Sequence, residues 1–372
     1  MSDISHKAKV AVYIPDLGGG GAERVTLNLL KGFTSQGVDV DLVLPKAKGV
    51  FLSQVPSSVR IIDLKAKGTF SSLPALCGYL RTARPAAILS CLERANLVAI
   101  LARRLTGVKS KLVVTVHNTL SMSIGQSKSA KVRVLPMLIR RMYPDADVVG
   151  AVSAGAADDL IRFIGLPDNN VQVLGNAVVT PELLSASKKD PEHAWFDNGQ
   201  PPVIVSVGRL SLQKDYETLL RAFAIARATR HCRLIILGEG EEREKLEALA
   251  VELGVQDDIA LPGFAANPFA YMAHARVYVL SSRFEGLPTV LIEALACGAA
   301  IVSTDCRSGP KEILNDGAYG RLTPVGDHEA MASAILSALQ EPNRPKADES
   351  WKPYEMQAVS EKYLRVLLGT KF

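Results

Sequence analysis

RVYVLSSRFEGLPTVLIEALACGAAIVSTD, Arg276 to Asp305, reads as strand, loop, helix and strand again. RVYVLSS is a short β-branched and apolar run, RFEG is its exit loop, and AAIVSTD is a second run of the same kind. Pro288 suits the first turn of the intervening helix, TVLIEALACG, because its missing N–H is one that a helix start does not use. Gly298 ends that helix. A helix joining two such strands is the crossover of a parallel sheet. Two acids stand out in this unit: Glu285 on the exit loop, and Glu293 one to two turns into an otherwise apolar helix. A carboxylate there needs a partner, which sugar or ribose hydroxyls would supply and a buried cation would supply equally.

The alternation extends in both directions. KVAVYIPDL is followed by a glycine loop and the helical pattern GAERVTLNLLKGFTSQG, and VDVDLVLP, AAILSC, KLVVTVHN and ADVVGAVS continue it. After TPELLSASKKDPEHAWFDNGQPP, which reads as a linker or long surface connection, VIVSVG starts a second series with RLIILGEG, IALPGF, RVYVLSS and AAIVSTD. Strands alternating with helices predict an α/β fold: two Rossmann-like, doubly wound parallel-sheet domains facing a central cleft. The expected divisions are 1–180, 181–355, and a C-terminal helix over 356–372 that crosses back to the N-terminal domain.

A chain of 372 residues that is 48% hydrophobic and 22% charged has the material for two cores. The five cysteines are scattered and never form C-x-x-C, which argues against a disulfide framework or a zinc site and for a reducing cytoplasm. No secretory leader and no apolar run of spanning length is found. Residues 1–180 carry 22 Lys+Arg against 12 Asp+Glu, whereas 181–372 carry 21 against 26. The basic first half therefore suits an anionic partner: nucleic acid, a membrane surface or a phosphorylated acceptor.

Doubly wound sheets bind ligands beyond the carboxyl ends of their strands. After the first strand, Gly20 and Gly21 in LGGGGAER combine close backbone approach with a helix N-terminus, which suits phosphate, although a tight turn alone also wants glycine. His117 follows KLVVTV and is either an acid, base or hydroxyl ligand, or a plain polar contact. In GRLSLQKD, Arg209 and Lys214 suit a pyrophosphate, with the helix start near Tyr216 adding its positive end; two solvated surface cations are the alternative. The D-x-D tripeptides at Asp39–Asp41 and Asp145–Asp147 lie along a strand and at a strand's amino end, so no metal is expected.

These motifs resemble the family 4 retaining glycosyltransferases of the GT-B fold, of the bacterial envelope-polysaccharide type. EGLPTVLIE matches the E-x7-E signature and GRLSLQKD the G-R-x4-K segment, while GGAER, VHN and ADVVGAVS extend the likeness over nearly the whole chain. The resemblance implies that Arg209 and Lys214 hold a donor diphosphate with Gly20 and Gly21, and that Glu285, Gly286 and Leu287 face the donor sugar. It further implies that Glu293 binds the ribose, that backbone near Phe264 borders the base, and that His117 lies near the reacting carbon. It implies a nucleotide sugar as substrate, a UDP-sugar and first UDP-N-acetylglucosamine, with no cofactor and no obligatory metal. The acceptor is then a glycan or lipid-linked glycan rather than nucleic acid, reached at the inner face of the cytoplasmic membrane.

The segment KSAKVRVLPMLIRRMYP interleaves Lys128, Lys131, Arg133, Arg140 and Arg141 with apolar residues, as in a segment lying on an anionic membrane. A core helix with a basic outer face fits as well, and Pro136 interrupts any continuous helix. The alternative functions are a GT-B-like sugar-nucleotide epimerase or phosphorylase, and a non-catalytic sugar-nucleotide-binding protein. An oxidoreductase is poorer, because the spaced glycines of a dinucleotide fingerprint are missing.

Overall fold

The structure is a computed structural model that describes residues 8–125, 134–340 and 349–369. It divides into two compact units, residues 1–178 with 354–372, and residues 179–353. Each is a Rossmann-like layer of helices around one parallel sheet.

The first unit contains β1 (Lys9–Tyr13), β2 (Asp39–Leu44), β3 (Arg60–Asp63), β4 (Ala87–Cys91), β5 (Lys111–Val116), β6 (Val148–Ala151) and β7 (Val171–Val173). They lie in the order β3-β2-β1-β4-β5-β6-β7, with Val10 paired to Val40 on one side and to Ala87 on the other. The chain lays down β2 and β3 on one side of β1, then crosses to build β4 onward on the other. That reversal opens a crevice at the carboxyl ends of β1 and β4. β1, β4 and β5 are buried on both faces, which is why they read as unbroken apolar runs.

The helix Met356–Leu368 belongs to this unit and packs on Gly21–Ser35. Val359, Tyr363, Leu364 and Leu367 enter the core, and the Tyr363 hydroxyl donates to the Gly175 carbonyl at 3.1 Å. The two helices touch at Gly32, where a Cβ would stand 1.9 Å from Ser360 Oγ.

The second unit contains β8 (Val203–Val207), β9 (Arg233–Leu237), β10 (Ile259–Gly263), β11 (Val277–Leu280), β12 (Ile301–Thr304) and β13 (Arg321–Thr323), in the order β10-β9-β8-β11-β12-β13. Its reversal falls between β8 and β11. The helix Thr289–Ala296 ends as the sequence suggests: Gly298 takes a left-handed φ of +75°, Gly298 N–H donates to Leu295 O, and Ala299 N–H donates to Ala294 O. Pro288 stands one position before the helix as its N-cap rather than inside the first turn.

Two expectations change. The stretch 180–202 is not loose. It carries the helix Pro181–Ala186 and is tied down by Asn267 Nδ2 donating to Ala186 O at 2.9 Å and by the Tyr271 hydroxyl donating to Glu192 O at 3.0 Å. Arg233 stacks 4.8 Å from the centre of the Trp195 ring, so aromatic packing holds a segment whose polar composition reads as linker. The sheets also contain β3, β7 and β13, which no apolar run announces. Each is the last strand of its sheet.

Candidate active site

The reversal between β8 and β11 brings two loops together. β8 ends at Val207, and Gly208 to Asp215 lead into the helix Tyr216–Thr229; β11 ends at Leu280, and Ser281 to Pro288 lead into Thr289–Ala296. Backbone must pass backbone closely here. A Cβ on Gly238, which has φ +143°, would lie 2.0 Å from Gly208 O, and one on Gly240 would lie 2.2 Å from Leu210 O.

Glu285 is the centre of the contact between the loops. Its Oε1 accepts from Lys214 Nζ at 2.7 Å and from the Ser282 hydroxyl at 2.7 Å, and Gln213 Nε2 stands 3.5 Å from Oε2. Both members of the ion pair are largely buried, with side chains 16% and 9% exposed. Arg283 N–H donates to Gln213 O at 2.8 Å, Gln213 Nε2 to Phe284 O at 3.0 Å, and the Ser281 hydroxyl to Lys214 O at 2.7 Å. The charge pair is thus held from both sides by backbone. Burial pushes the nearby Cys306 thiol up to about 12, and the Glu285 carboxylate adds to the shift.

Asp215, buried and in a left-handed conformation at φ +50°, stands at the N-cap position of the helix near Tyr216 without a side-chain cap; its carboxylate accepts from Arg283 Nη2 at 2.9 Å and from the Thr218 hydroxyl at 2.9 Å. Lys214 and Arg209 lie on the loop that leads into this helix. Arg209 is exposed, and no ion pair or hydrogen bond engages it among the described residues.

Glu293 is buried on its helix, near enough to Cys297 to add to the rise that burial imposes on that thiol. Gly286 and Leu287 are buried, and the Gly286 carbonyl accepts from the Ser308 hydroxyl at 2.9 Å. Phe264, directly after β10, is 85% exposed. Arg209, Lys214, Phe264, Glu285, Gly286, Leu287 and Glu293 all belong to one unit, in or after loops leaving the carboxyl ends of its strands. Gln213, Asp215, Ser281, Ser282 and Arg283 complete the network and escaped the sequence reading. Their only signal was a concentration of polar residues at two strand exits.

Gly20, Gly21 and His117 sit at the carboxyl edge of the first sheet. Gly20 precedes the helix Gly21–Ser35, whose first turn carries Glu23, and both glycines are exposed. His117 follows β5, and burial lowers its pKa to about 4, which keeps it neutral near neutral pH. The Thr115 hydroxyl lies 3.1 Å from Ser90 O and 3.2 Å from His117 Nε2, where the direction of the bond follows the ring's tautomer. With its pKa lowered, His117 is a weak base.

Asp41 and Asp147, one acid of each D-x-D tripeptide, are occupied by protein. Asp41 takes both Arg60 nitrogens, at 2.9 and 2.5 Å, and the Tyr79 hydroxyl at 2.7 Å. Asp147 accepts from Leu112 N–H at 2.7 Å and pairs with Arg103. Among the described residues no group of three or more His, Cys, Asp or Glu is arranged to hold a metal ion.

The comparisons with known proteins agree with this geometry. Residues 188–356 match the family model for glycosyl transferases group 1, and residues 19–181 match that for glycosyltransferase family 4. The chain belongs to the family 4-type glycosyltransferases. This glycosyltransferase is 32% identical, over 97% of its length and 100% of the relative's, to N-acetylgalactosamine-N,N'-diacetylbacillosaminyl-diphospho-undecaprenol 4-alpha-N-acetylgalactosaminyltransferase of Campylobacter jejuni subsp. jejuni serotype O:2. A second enzyme of that organism, GalNAc-alpha-(1->4)-GalNAc-alpha-(1->3)-diNAcBac-PP-undecaprenol alpha-1,4-N-acetyl-D-galactosaminyltransferase, is 24% identical over 98% of this chain and 99% of its own. The crystal structure of Anabaena HepE in complex with UDP superposes with a TM-score of 0.77, covering 97% of this glycosyltransferase and 100% of HepE at 21% identity. That likeness establishes the GT-B fold, two Rossmann-like domains.

Proposed function

We propose that this glycosyltransferase moves an N-acetylhexosamine from a UDP-sugar to a lipid-linked glycan, with retention, in the synthesis of an envelope polysaccharide. The observation that carries the donor half is the buried Lys214–Glu285 pair at the switch point, on the loop that also carries Arg209, whose guanidinium has no ion pair or hydrogen bond among the described residues. As the glycosidic bond breaks, negative charge develops on the leaving UDP, and fixed cations stabilise it more in the transition state than in the ground state. Arg209 would meet the diphosphate, while Lys214 has further N–H groups beyond the one given to Glu285. Glu285, anchored by Lys214 and Ser282, would receive donor-sugar hydroxyls, and Glu293 those of the ribose. The exposed Phe264 would border the base, and Gly20 and Gly21 would offer helix N–H groups to phosphate. His117 would contact a donor-sugar hydroxyl near the reacting carbon.

The acceptor and the sugar rest on relatives. The Campylobacter enzyme named above transfers N-acetylgalactosamine to an undecaprenol-diphosphate glycan in alpha linkage, which from an alpha-linked UDP donor is retention. UDP-N-acetylglucosamine and UDP-N-acetylgalactosamine therefore head the donor panel. With the diphosphate met by Arg209 and Lys214, transfer needs no metal ion.

No helix among the described residues is long and apolar enough to cross a membrane. Contact with the bilayer is assigned instead to the helix Leu135–Met142. Pro136 lies in its first turn, and Val134, Met137 and Leu138 are exposed at 46%, 65% and 37% beside exposed Arg140 and Arg141. Lys128, Lys131 and Arg133 lie outside the described residues. Apolar side chains flanked by arginines suit an anionic surface. The test is a donor panel incubated with membrane extract and followed by UDP release and by label entering lipid. Label in the lipid fraction is expected. Free epimer or sugar phosphate as the product, or nucleotide binding without turnover, would replace the proposal with an epimerase, a phosphorylase or a sensor.

A further inference from the structure

The ends of β4 and β5 hold a polar cluster that nothing above uses. Glu93 opens the helix Glu93–Thr106 directly after β4, at the reversal point of the first sheet. The residue is half-buried, and its Oε1 is enclosed without a hydrogen-bond partner among the described residues. Asn96 Oδ1 and Ser90 Oγ share that condition. One network joins them: Asn96 Nδ2 donates to Thr115 O at 2.9 Å and to the Tyr143 hydroxyl at 3.0 Å, and Thr115 reaches both Ser90 and His117. Glu93 is close enough to Tyr143 to raise the cost of ionising that phenol, and burial pushes the Glu93 carboxyl itself upward, toward the neutral acid.

The chemistry of the unpartnered atoms narrows the ligand. Asn96 Oδ1 is an acceptor, while the Glu93 carboxyl accepts when ionised and can also donate when protonated, as the serine hydroxyl can. A sugar hydroxyl, which both donates and accepts, suits either state of the carboxyl, and an amide N–H suits its unpartnered oxygen. A buried acceptor left without a donor is destabilising, so a fold that keeps one at a ligand-binding edge has a use for it. We propose that Glu93 is an acceptor-binding residue that receives a hydrogen bond from a hydroxyl or acetamido N–H of the acceptor sugar. Asn96 and Tyr143, both fully buried, are positioning residues for it. His117, two residues beyond Thr115 on the neighbouring strand's exit, borders the same cluster. This inference rests on the glycosyltransferase reading above and adds to it the side of the acceptor that this edge would recognise.

The probes are methyl α-N-acetylglucosaminide and methyl α-N-acetylgalactosaminide, titrated by saturation-transfer NMR onto the full chain with UDP present. The wild-type chain is expected to bind at least one of them saturably. Glu93→Ala should weaken that binding about tenfold or more, the loss of one well-placed hydrogen bond. Glu93→Gln keeps an acceptor oxygen and should stay within roughly threefold. Glu93→Met, which keeps the volume and removes both oxygens, replaces Glu93→Ala if that variant does not fold. Absence of saturable glycoside binding to the wild type, or unchanged binding by the folded Ala or Met variant, overturns the proposal. Calorimetry with UDP on the same samples separates the two readings. A chain that binds no UDP fails as the proposed transferase, whereas one that binds UDP and ignores the change at Glu93 fails only this inference.

Discussion

Replacing Lys214 by Met should cost both stability and turnover, for different reasons. Lys214 Nζ lies 2.7 Å from Glu285 Oε1, and both side chains are mostly out of water. Without the lysine the carboxylate keeps the Ser282 hydroxyl and the more distant Gln213 amide but loses the ion pair at 2.7 Å. Breaking a buried pair from one side costs about 3 to 5 kcal/mol, and the partial exposure here lowers the expectation to about 2 to 4 kcal/mol. Glu285→Gln leaves a lysine that can turn toward solvent, so about 1 to 2 kcal/mol is expected. The double variant should be more stable than the sum predicts by about 1 to 2 kcal/mol, because the second change removes the carboxylate whose ion pair the first change broke. Urea denaturation of the four proteins measures the cycle. Additive losses within about 0.5 kcal/mol would show that the pair is not coupled and would refute the reasoning. Transfer should fall about 10²- to 10³-fold in Lys214→Met, the effect of deleting one charge-stabilising donor.

Four further outcomes follow from other parts of the structure. Arg209→Ala should leave the urea midpoint unchanged within about 0.5 kcal/mol, since the side chain is exposed and unpaired, yet lower kcat/KM at least about 100-fold. His117 is neutral in the fold with a pKa of about 4 against about 6.5 when unfolded, so it contributes stability that is complete above about pH 6.5 and lost as pH falls toward 4. The full term is about 2 to 3 kcal/mol, and denaturation of His117→Gln should show a flatter acid limb. Gly32→Ala should cost about 1 to 3 kcal/mol by driving a methyl group into Ser360 and lifting the C-terminal helix, and the double change with Ser360→Gly should recover part of that loss. Arg140→Gln with Arg141→Gln should release the protein from anionic vesicles and steepen neither its melting curve nor its UDP affinity; unchanged vesicle binding would remove the membrane assignment.

The sequence made the interior strands legible because burial on both faces writes an unbroken apolar run, as in LVVTV before His117 or VIVSV before Gly208. The edge strands β3, β7 and β13 have one flank open, so RIID, VQV and RLT carry polar residues and no such signature. β10 is an edge too and was readable only because IALPG keeps three apolar residues in a row. The same physics explains the stretch 180–202, whose polar composition hides Trp195 packed edge to face on His193, and Phe196 packed the same way on Tyr271. Site residues at strand ends could be picked out singly, because the position of a strand fixes its exit loop. What could not be read was partnership. Lys214 and Glu285 are 71 positions apart, and their ion pair exists only because strand order places β8 beside β11. The ion pair of Asp215 with Arg283, 68 positions away, likewise could not be read from any periodicity.

The central claim is that the carboxyl edge of the second sheet holds a nucleoside diphosphate through Arg209 and the Lys214–Glu285 pair. Calorimetric titration of UDP into the wild-type chain and into Arg209→Ala tests it most directly. Saturable binding to the wild type, weakened about tenfold or more in the variant and by rising salt, is the predicted result. Equal UDP affinity in the two proteins would contradict it.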